Sequence, residues 1–235
     1  MNRGQLPLGI RLRPANTFDG FVPGANAEAV AWLRERARDG VAFLWGAPGV
    51  GKTHLLQAVC HQAADLRAAY LPLAGEAGLV PEALEGLDAL DVVCVDDLQA
   101  IAGDDAWERA LFSLFNGLRA RGAGLVCCAD RSPPLLGLHL SDLASRLAWG
   151  PVFHLRGLDD EGLASALRLR AAALGLEMPD EVTRYLLRRE QRESSVLFAL
   201  LERLDRASLS AQRRLTVPFV KEIMEEERGR RKEES

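Results

Sequence analysis

No apolar run in this chain approaches the roughly 18 residues needed to cross a bilayer, and the N-terminus lacks the apolar core of a signal peptide. A cytoplasmic protein with no membrane partner is expected. Histidine is scarce, and the four residues present are scattered without ligand spacing, so no zinc site is expected. Cysteine is equally sparse. Cys60, Cys94, Cys127 and Cys128 all lie in apolar stretches, where they serve as small core residues of a reducing compartment and not as a disulfide framework. An excess of positive charge is also missing: 29 basic residues face 33 acidic ones, for a formal charge of −4. That argues against phosphate-backbone binding as the dominant mode of action, although a local basic patch is not excluded. At 235 residues the chain is long enough for one large domain and a small one.

What is present is organised around Gly46-Ala47-Pro48-Gly49-Val50-Gly51-Lys52-Thr53. Two glycines spaced by four residues and followed by Lys and Thr fit the phosphate-loop pattern. The apolar run Val41–Trp45 before it predicts a buried parallel strand, and Leu55, Leu56, Val59 and Cys60 after it fall at helical spacing. Strand, loop and helix in that order are the context the pattern requires. The glycines allow backbone N–H groups to turn toward phosphate oxygens, and the helix N-terminus, opening at Lys52, Thr53 and His54, adds its positive end. Lys52 would neutralise the β- and γ-phosphates of ATP or the phosphates of ADP, and Thr53 would reach Mg²⁺ through its hydroxyl.

Strands and helices then alternate. Ala68–Leu73 predicts a second strand, Glu82–Leu87 a short helix, and Asp91–Asp97 a third strand that delivers Asp96 and Asp97 to the carboxyl edge of the sheet beside the phosphate loop. Asp96 is the candidate Mg²⁺ ligand, direct or through water, and Asp97 is placed to orient a water at the γ-phosphate. Asp104–Arg121 has the apolar stripe of an amphipathic helix, Gly124–Asp130 is a fourth buried strand, Leu140–Leu147 a short helix capped near Ser141, and Pro151–Leu155 a fifth strand. Ahead of the loop, Asn26 is expected to cap a helix over Ala27–Arg38, and Phe18, Phe21 and Val22 are either packing residues or the wall of an adenine pocket. Beyond Leu158 only helical periodicity remains, with Leu197, Leu200, Leu201 and Leu204 on one face and Thr216 capping the last helix. The expected division is a tail over 1–14, an α/β nucleotide-binding domain with a five-stranded parallel sheet over 15–157, a helical lid over 158–226 and a charged, fraying end over 227–235. Within the tail, Gln5, Leu6, Leu8 and Ile10 alternate with Pro7 in an extended peptide that could dock in an apolar groove; an unstructured apolar tail remains the alternative from these residues alone.

A phosphate-loop α/β domain followed by a small helical lid resembles the AAA+ ATPases. Within them the runs Thr17–Gly24, Gly46–Leu56, Val95–Asp97, Ala129–Arg131 and Ser145–Gly150 are similar to the core of the replication initiator DnaA, and the runs Leu204–Ser208 and Leu215–Ile223, with the clamp-motif-like Gln5–Leu8, to the family of regulatory inactivators of DnaA. The resemblance implies ATP or ADP and Mg²⁺ as cofactors. It implies as partners DnaA and the DNA polymerase III sliding clamp (beta subunit), the clamp bound through Gln5, Leu6, Leu8 and Ile10. It implies no sequence-specific DNA binding, and it leaves self-association open. The implied activity is negative regulation of initiation, by stimulating hydrolysis of DnaA-bound ATP through an arginine finger at Arg146; an ordinary helix-end salt bridge is the alternative role for that residue. Two positions depart from the AAA+ pattern. Asp97 stands where motors carry Glu, which implies weak intrinsic hydrolysis, and Ser195 stands at the lid sensor arginine, with Arg192 one helical turn earlier as a substitute. A helicase loader and an ADP-bound adaptor are the competing functions.

Overall fold

The computed structural model describes residues 12–63, 66–75, 78–189 and 194–233, with side chains described to Glu225. Helix α1 is Ala27–Arg36, strand β1 Val41–Trp45, α2 Lys52–Gln62, β2 Ala68–Pro72, β3 Val92–Asp96, α3 Asp105–Arg121, β4 Gly124–Ala129, α4 Ser141–Leu147 and β5 Val152–His154. Four helices follow: α5 Asp160–Ala173, α6 Asp180–Arg189, α7 Ser194–Ala211 and α8 Val217–Glu233.

The five strands form one parallel sheet in the order β2-β3-β4-β1-β5. The inner strands β3 and β4 are buried along their whole length, as continuous apolar runs in a parallel sheet should be. One face packs on α3 and α4 through Phe43, Val93, Val95, Leu111, Leu114, Phe115, Leu125, Cys127, Leu143 and Leu147. All four cysteines are buried and unbridged. At the end of β5, Gly150 leaves room for a backbone crossing: a Cβ there would lie 1.7 Å from the Val41 carbonyl oxygen.

The strand order corrects one expectation. Strand β4 lies between β1 and β3, so Asp96 is two strands from the phosphate loop, and the acid on the strand next to it is Asp130, directly after β4. Other local expectations also change. Asn26 does not cap α1; its side-chain amide donates to the Arg156 carbonyl at 2.9 Å and accepts from the Arg156 N–H at 2.8 Å. Those bonds use both ends of a buried amide, which outweighs one helix-cap bond. The expected helix over Glu82–Leu87 is two 3-10 turns, Pro81–Leu84 and Leu87–Ala89, separated where Gly86 turns left-handed at φ 75°. Ser141 is already inside α4, and the helix entrance is held instead by Glu108. The charged end is helical to Glu233.

By its contacts the chain forms two units. One comprises the segment up to Phe18, Asn26–Ala47 and Gly51–Arg156; the other comprises Asp19–Ala25, Pro48–Val50 and Gly157 onward. The second has its own core, built from Leu163, Leu167, Val182, Leu186, Leu197, Leu200, Leu201, Leu204, Phe219 and Val220. Asp159 caps α5 by accepting from Gly162 N at 2.8 Å, and Thr216 caps α8 through Phe219 N at 3.4 Å. Among the described residues, no helix is long and apolar enough to cross a membrane.

Candidate functional site

The phosphate loop leaves β1 and re-enters as α2. Gly49 (φ 80°) and Gly51 (φ 98°) adopt left-handed backbone that side-chain-bearing residues resist. Gly51 is also the N-cap of α2, and no side chain caps that end. The first-turn N–H groups, from Lys52, Thr53 and His54, therefore point at whatever lies in the loop, with no acid in that turn to compete. Lys52 Nζ folds back across the loop and donates to the carbonyls of Gly46 at 2.7 Å and Ala47 at 3.0 Å. Thr53 is exposed on the first turn. His54 instead faces backward: its Nε2 donates to the Thr17 carbonyl at 2.8 Å, which fixes the proton on that nitrogen.

Asp96 ends β3 at 1% exposure. Its Oδ2 accepts from the Tyr70 hydroxyl at 2.7 Å; its Oδ1 accepts from the Cys128 thiol and from Asp97 N at 3.1 Å. Burial, reinforced by the neighbouring Asp96 carboxylate, pushes the Tyr70 hydroxyl and the Cys128 thiol well above their ordinary ranges, so both remain donors. Asp97 has left-handed backbone at φ 59° and ψ 47°, a conformation that Asp tolerates better than most residues. Gln99 ties the strand ends together: its Nε2 donates to Asp97 Oδ1 at 2.9 Å and its Oε1 accepts from Asp130 N at 3.1 Å. The bidentate Arg131 fork, at 2.9 and 2.7 Å, holds the Asp130 carboxyl below its usual range, with Lys52 adding a smaller pull in the same direction. Asp130 thus lies within the field of the phosphate-loop lysine.

The oxygen donors suit a hard divalent cation. Asp96 Oδ1 is saturated by two donors, while Oδ2 keeps acceptor capacity beyond Tyr70, and Thr53 offers its hydroxyl. These residues fit Mg²⁺ held through water. Among the described residues no cluster of three His, Cys, Asp or Glu side chains forms a metal cage.

Arg146 is half-buried on α4, with its guanidinium 4.7 Å from the Phe112 ring centre and 5.6 Å from that of Phe115. Among the described residues it makes no ion pair, so a helix-end salt bridge is not its role. One turn on, Trp149 is 61% exposed and is covered by Arg119 at 4.8 Å. Phe21 and Val22 are half-buried and belong to the second unit with Pro48–Val50, whereas Phe18 is buried under Arg34. Ser195 is exposed in the first turn of α7. Arg192 and the peptide Gln5, Leu6, Leu8 and Ile10 lie outside the described residues.

Sequence reasoning passed over Tyr70, Gln99, Cys128 and Asp130. The strand-end position of Asp130 was a usable signal. Cys128 is indistinguishable from a core cysteine until the register pairs Val95 with Cys127 and so brings the next residues, Asp96 and Cys128, level.

Comparison with known proteins gives the same outline. The model of the bacterial DnaA ATPase domain matches residues 12–72 and 82–154, and that of the Hda lid domain matches residues 159–224. Domain III of DnaA from Thermotoga maritima is 26% identical with a TM-score of 0.75, over 90% of this chain and 96% of that one. A replication initiator DnaA bound to AMPPCP and single-stranded DNA is 25% identical with a TM-score of 0.66, over 86% and 70%. A Thermotoga maritima RuvB variant, 20% identical with a TM-score of 0.68 over 92% and 73%, shares the AAA+ fold. Since the DnaA model spans more than half of its residues and the helices beyond match the Hda lid, this chain belongs to the bacterial DnaA ATPase-domain family of AAA+ proteins.

Proposed function

We propose that this protein is an adenine-nucleotide-gated regulator that acts on DnaA and, with the DNA-loaded sliding clamp, stimulates hydrolysis of DnaA-bound ATP. The observation that carries the reading is the pairing of a DnaA-type nucleotide core with an Hda-type lid in one chain. The bound AMPPCP of the DnaA relative supports an adenine nucleotide as the ligand. In this reading the nucleotide phosphates take the place of the Gly46 and Ala47 carbonyls as partners of Lys52, and the first-turn N–H groups of α2 supply the remaining donors. Bound Mg²⁺ would neutralise phosphate charge; Thr53 and Asp96 would hold it through water. Asp97, short by one methylene and tethered to Gln99, suits a protein that retains its nucleotide more than one that turns it over.

Arg146 is the finger. Its guanidinium rests on Phe112 and Phe115, contacts worth about 0.5–1 kcal/mol each at a partly exposed site, so swinging it to a partner's phosphate is inexpensive. Charge that develops in the partner's transition state then repays the movement. The test is hydrolysis of DnaA-bound ATP with DNA-loaded clamp. Arg146→Ala is expected to fold, bind ADP and bind the clamp, yet to lose stimulation by two or more orders of magnitude (an arginine supplied in trans contributes ~10³–10⁵ to rate). Arg146→Lys should fail as well, because an ammonium lacks the planar fork. Stimulation at the wild-type level by Arg146→Ala refutes the finger and leaves the adaptor.

A further inference from the structure

Helix α2 carries the phosphate-loop residues at one end and, along one stripe, three polar side chains that hold the chain's N-terminal segment. His54 Nε2 donates to the Thr17 carbonyl at 2.8 Å, and His61 Nε2 donates to the Arg13 carbonyl at 3.0 Å. Between them Gln57, 4% exposed, accepts at Oε1 from Arg13 N at 3.0 Å and from Asn16 Nδ2 at 3.1 Å. Both partners of Oε1 are donors, so the orientation of the Gln57 amide is determined and its NH₂ points the other way. There the Gln57 side chain hydrogen-bonds Tyr70. Tyr70 must accept that bond through its phenolic oxygen, which leaves its O–H to donate to Asp96 Oδ2 at 2.7 Å. The result is a relay with a single direction of donation, from Arg13 and Asn16 through Gln57 and Tyr70 to Asp96. Its inner members are shielded from water, where a bond is strong and an unmade one is costly.

The Asp96 end of the relay matters because of how that carboxylate is used up. Oδ1 already accepts two donors, so Oδ2 is the oxygen left to meet a hydrated cation, and the Tyr70 bond sets the direction of its remaining lone pair. We propose that Gln57 and Tyr70 are positioning residues that couple the seating of residues 13–17 on α2 to the orientation of Asp96, and thereby to the magnesium-dependent part of nucleotide affinity. This rests on the nucleotide-binding reading of the site. It makes the segment that follows the Gln5–Ile10 peptide a control element of the pocket: whatever unseats Arg13 or Asn16 weakens the grip on Mg-nucleotide, and by linkage Mg-nucleotide favours the seated segment.

The experiment is calorimetric titration of the full chain with ADP, once in EDTA and once in Mg²⁺, with melting temperature as a fold control. Wild type should bind ADP in both buffers and tighten on adding magnesium. Tyr70→Phe, which removes only the hydroxyl, should lose most of that magnesium factor while its affinity in EDTA stays within about twofold. Gln57→Glu keeps an acceptor for Arg13 and Asn16 but replaces the amide donor by a second acceptor that competes with Asp96 for the Tyr70 proton. It should lose the magnesium factor too; if it does not fold, Tyr70→Phe decides. Asn16→Ala should lose part of the factor, and adding it to Tyr70→Phe should change nothing further, because the relay is already cut nearer the site. A wild-type magnesium factor in Tyr70→Phe, or losses that multiply independently in the Asn16→Ala/Tyr70→Phe pair, would overturn the coupling. A wild-type protein that binds ADP with no magnesium factor also overturns it, while sparing the nucleotide pocket. A wild-type protein that binds no ADP in either buffer overturns the pocket itself.

Discussion

Replacing Glu108 should loosen the entrance of α4, the helix that presents Arg146, and the structure sets the size of the effect. Glu108 is 1% exposed on α3, and its carboxylate accepts three backbone N–H groups: Oε1 from Gly103 at 2.8 Å and His139 at 3.1 Å, Oε2 from Leu140 at 2.7 Å. It thereby does for α4 what a capping side chain does elsewhere, since Leu140 at the N-cap position has no oxygen of its own to offer. In Glu108→Gln one oxygen can still serve Gly103 and His139, but the amide NH₂ then faces the Leu140 N–H, donor to donor. Leaving that group unsatisfied costs ~1–3 kcal/mol. For a chain of this size each kcal/mol moves the melting point by about 2–4 °C, so a fall of roughly 3–10 °C is expected. Glu108→Ala orphans all three donors and opens a cavity, and should cost more, ~3–5 kcal/mol or the fold itself. The assay is thermal unfolding by circular dichroism, paired with hydrogen exchange at the Leu140 amide. A Glu108→Gln protein that melts within about 1 °C of wild type, with an unchanged Leu140 exchange rate, would refute the claim that this carboxylate holds the helix start.

Three further outcomes are expected. Lys52→Ala should abolish tight ADP binding, since it removes the cation that spans the phosphate loop; calorimetric affinity like that of wild type would mean the loop is structural only. The exposed His139–Asp105 pair, Nδ1 to Oδ1 at 2.9 Å, raises the imidazole pKa and lowers that of the carboxyl. A raised histidine contributes below its unfolded pKa and loses that contribution as pH rises through the folded one. A lowered aspartate contributes above its unfolded pKa and loses it as pH falls through the folded one, so the pair is strongest between the two folded values. NMR titration of His139 should show the raised pKa return toward the ordinary imidazole value in Asp105→Asn. Finally, alanine at Gln5, Leu6 and Leu8 should remove clamp binding and leave the melting temperature unchanged; persistent pull-down would place the contact elsewhere.

The elements that sequence alone settled are those whose signal is local. Val92–Asp96 and Gly124–Ala129 are apolar enough over their whole length to be inner parallel strands and nothing else, and the leucines of α7 repeat at helical spacing. The phosphate loop is legible because its glycines, Lys52 and Thr53 act through neighbours a few residues away: the backbone turn at Gly51 and the first turn of α2 are set within the motif. Asn26 and Ser141 were misassigned by the same local logic, because each stands where a capping residue would. Only the tertiary structure could show that Arg156, 130 residues further on, takes up the Asn26 amide, or that Glu108 supplies the oxygens ahead of Ser141. Asp96 makes the same point at the site. Its identity and its place at a strand end come from the sequence. Its partners, Tyr70 and Cys128, and the relay back to Asn16 through Gln57 come from strand order and register, which bring together side chains 26, 32 and 41 residues apart. Backbone preference and hydrophobic period act over one or two turns of chain, whereas a buried hydrogen bond is chosen by whatever polar group the packed fold leaves within 3 Å; the former can be read in order along the sequence, the latter only after the chain has closed on itself.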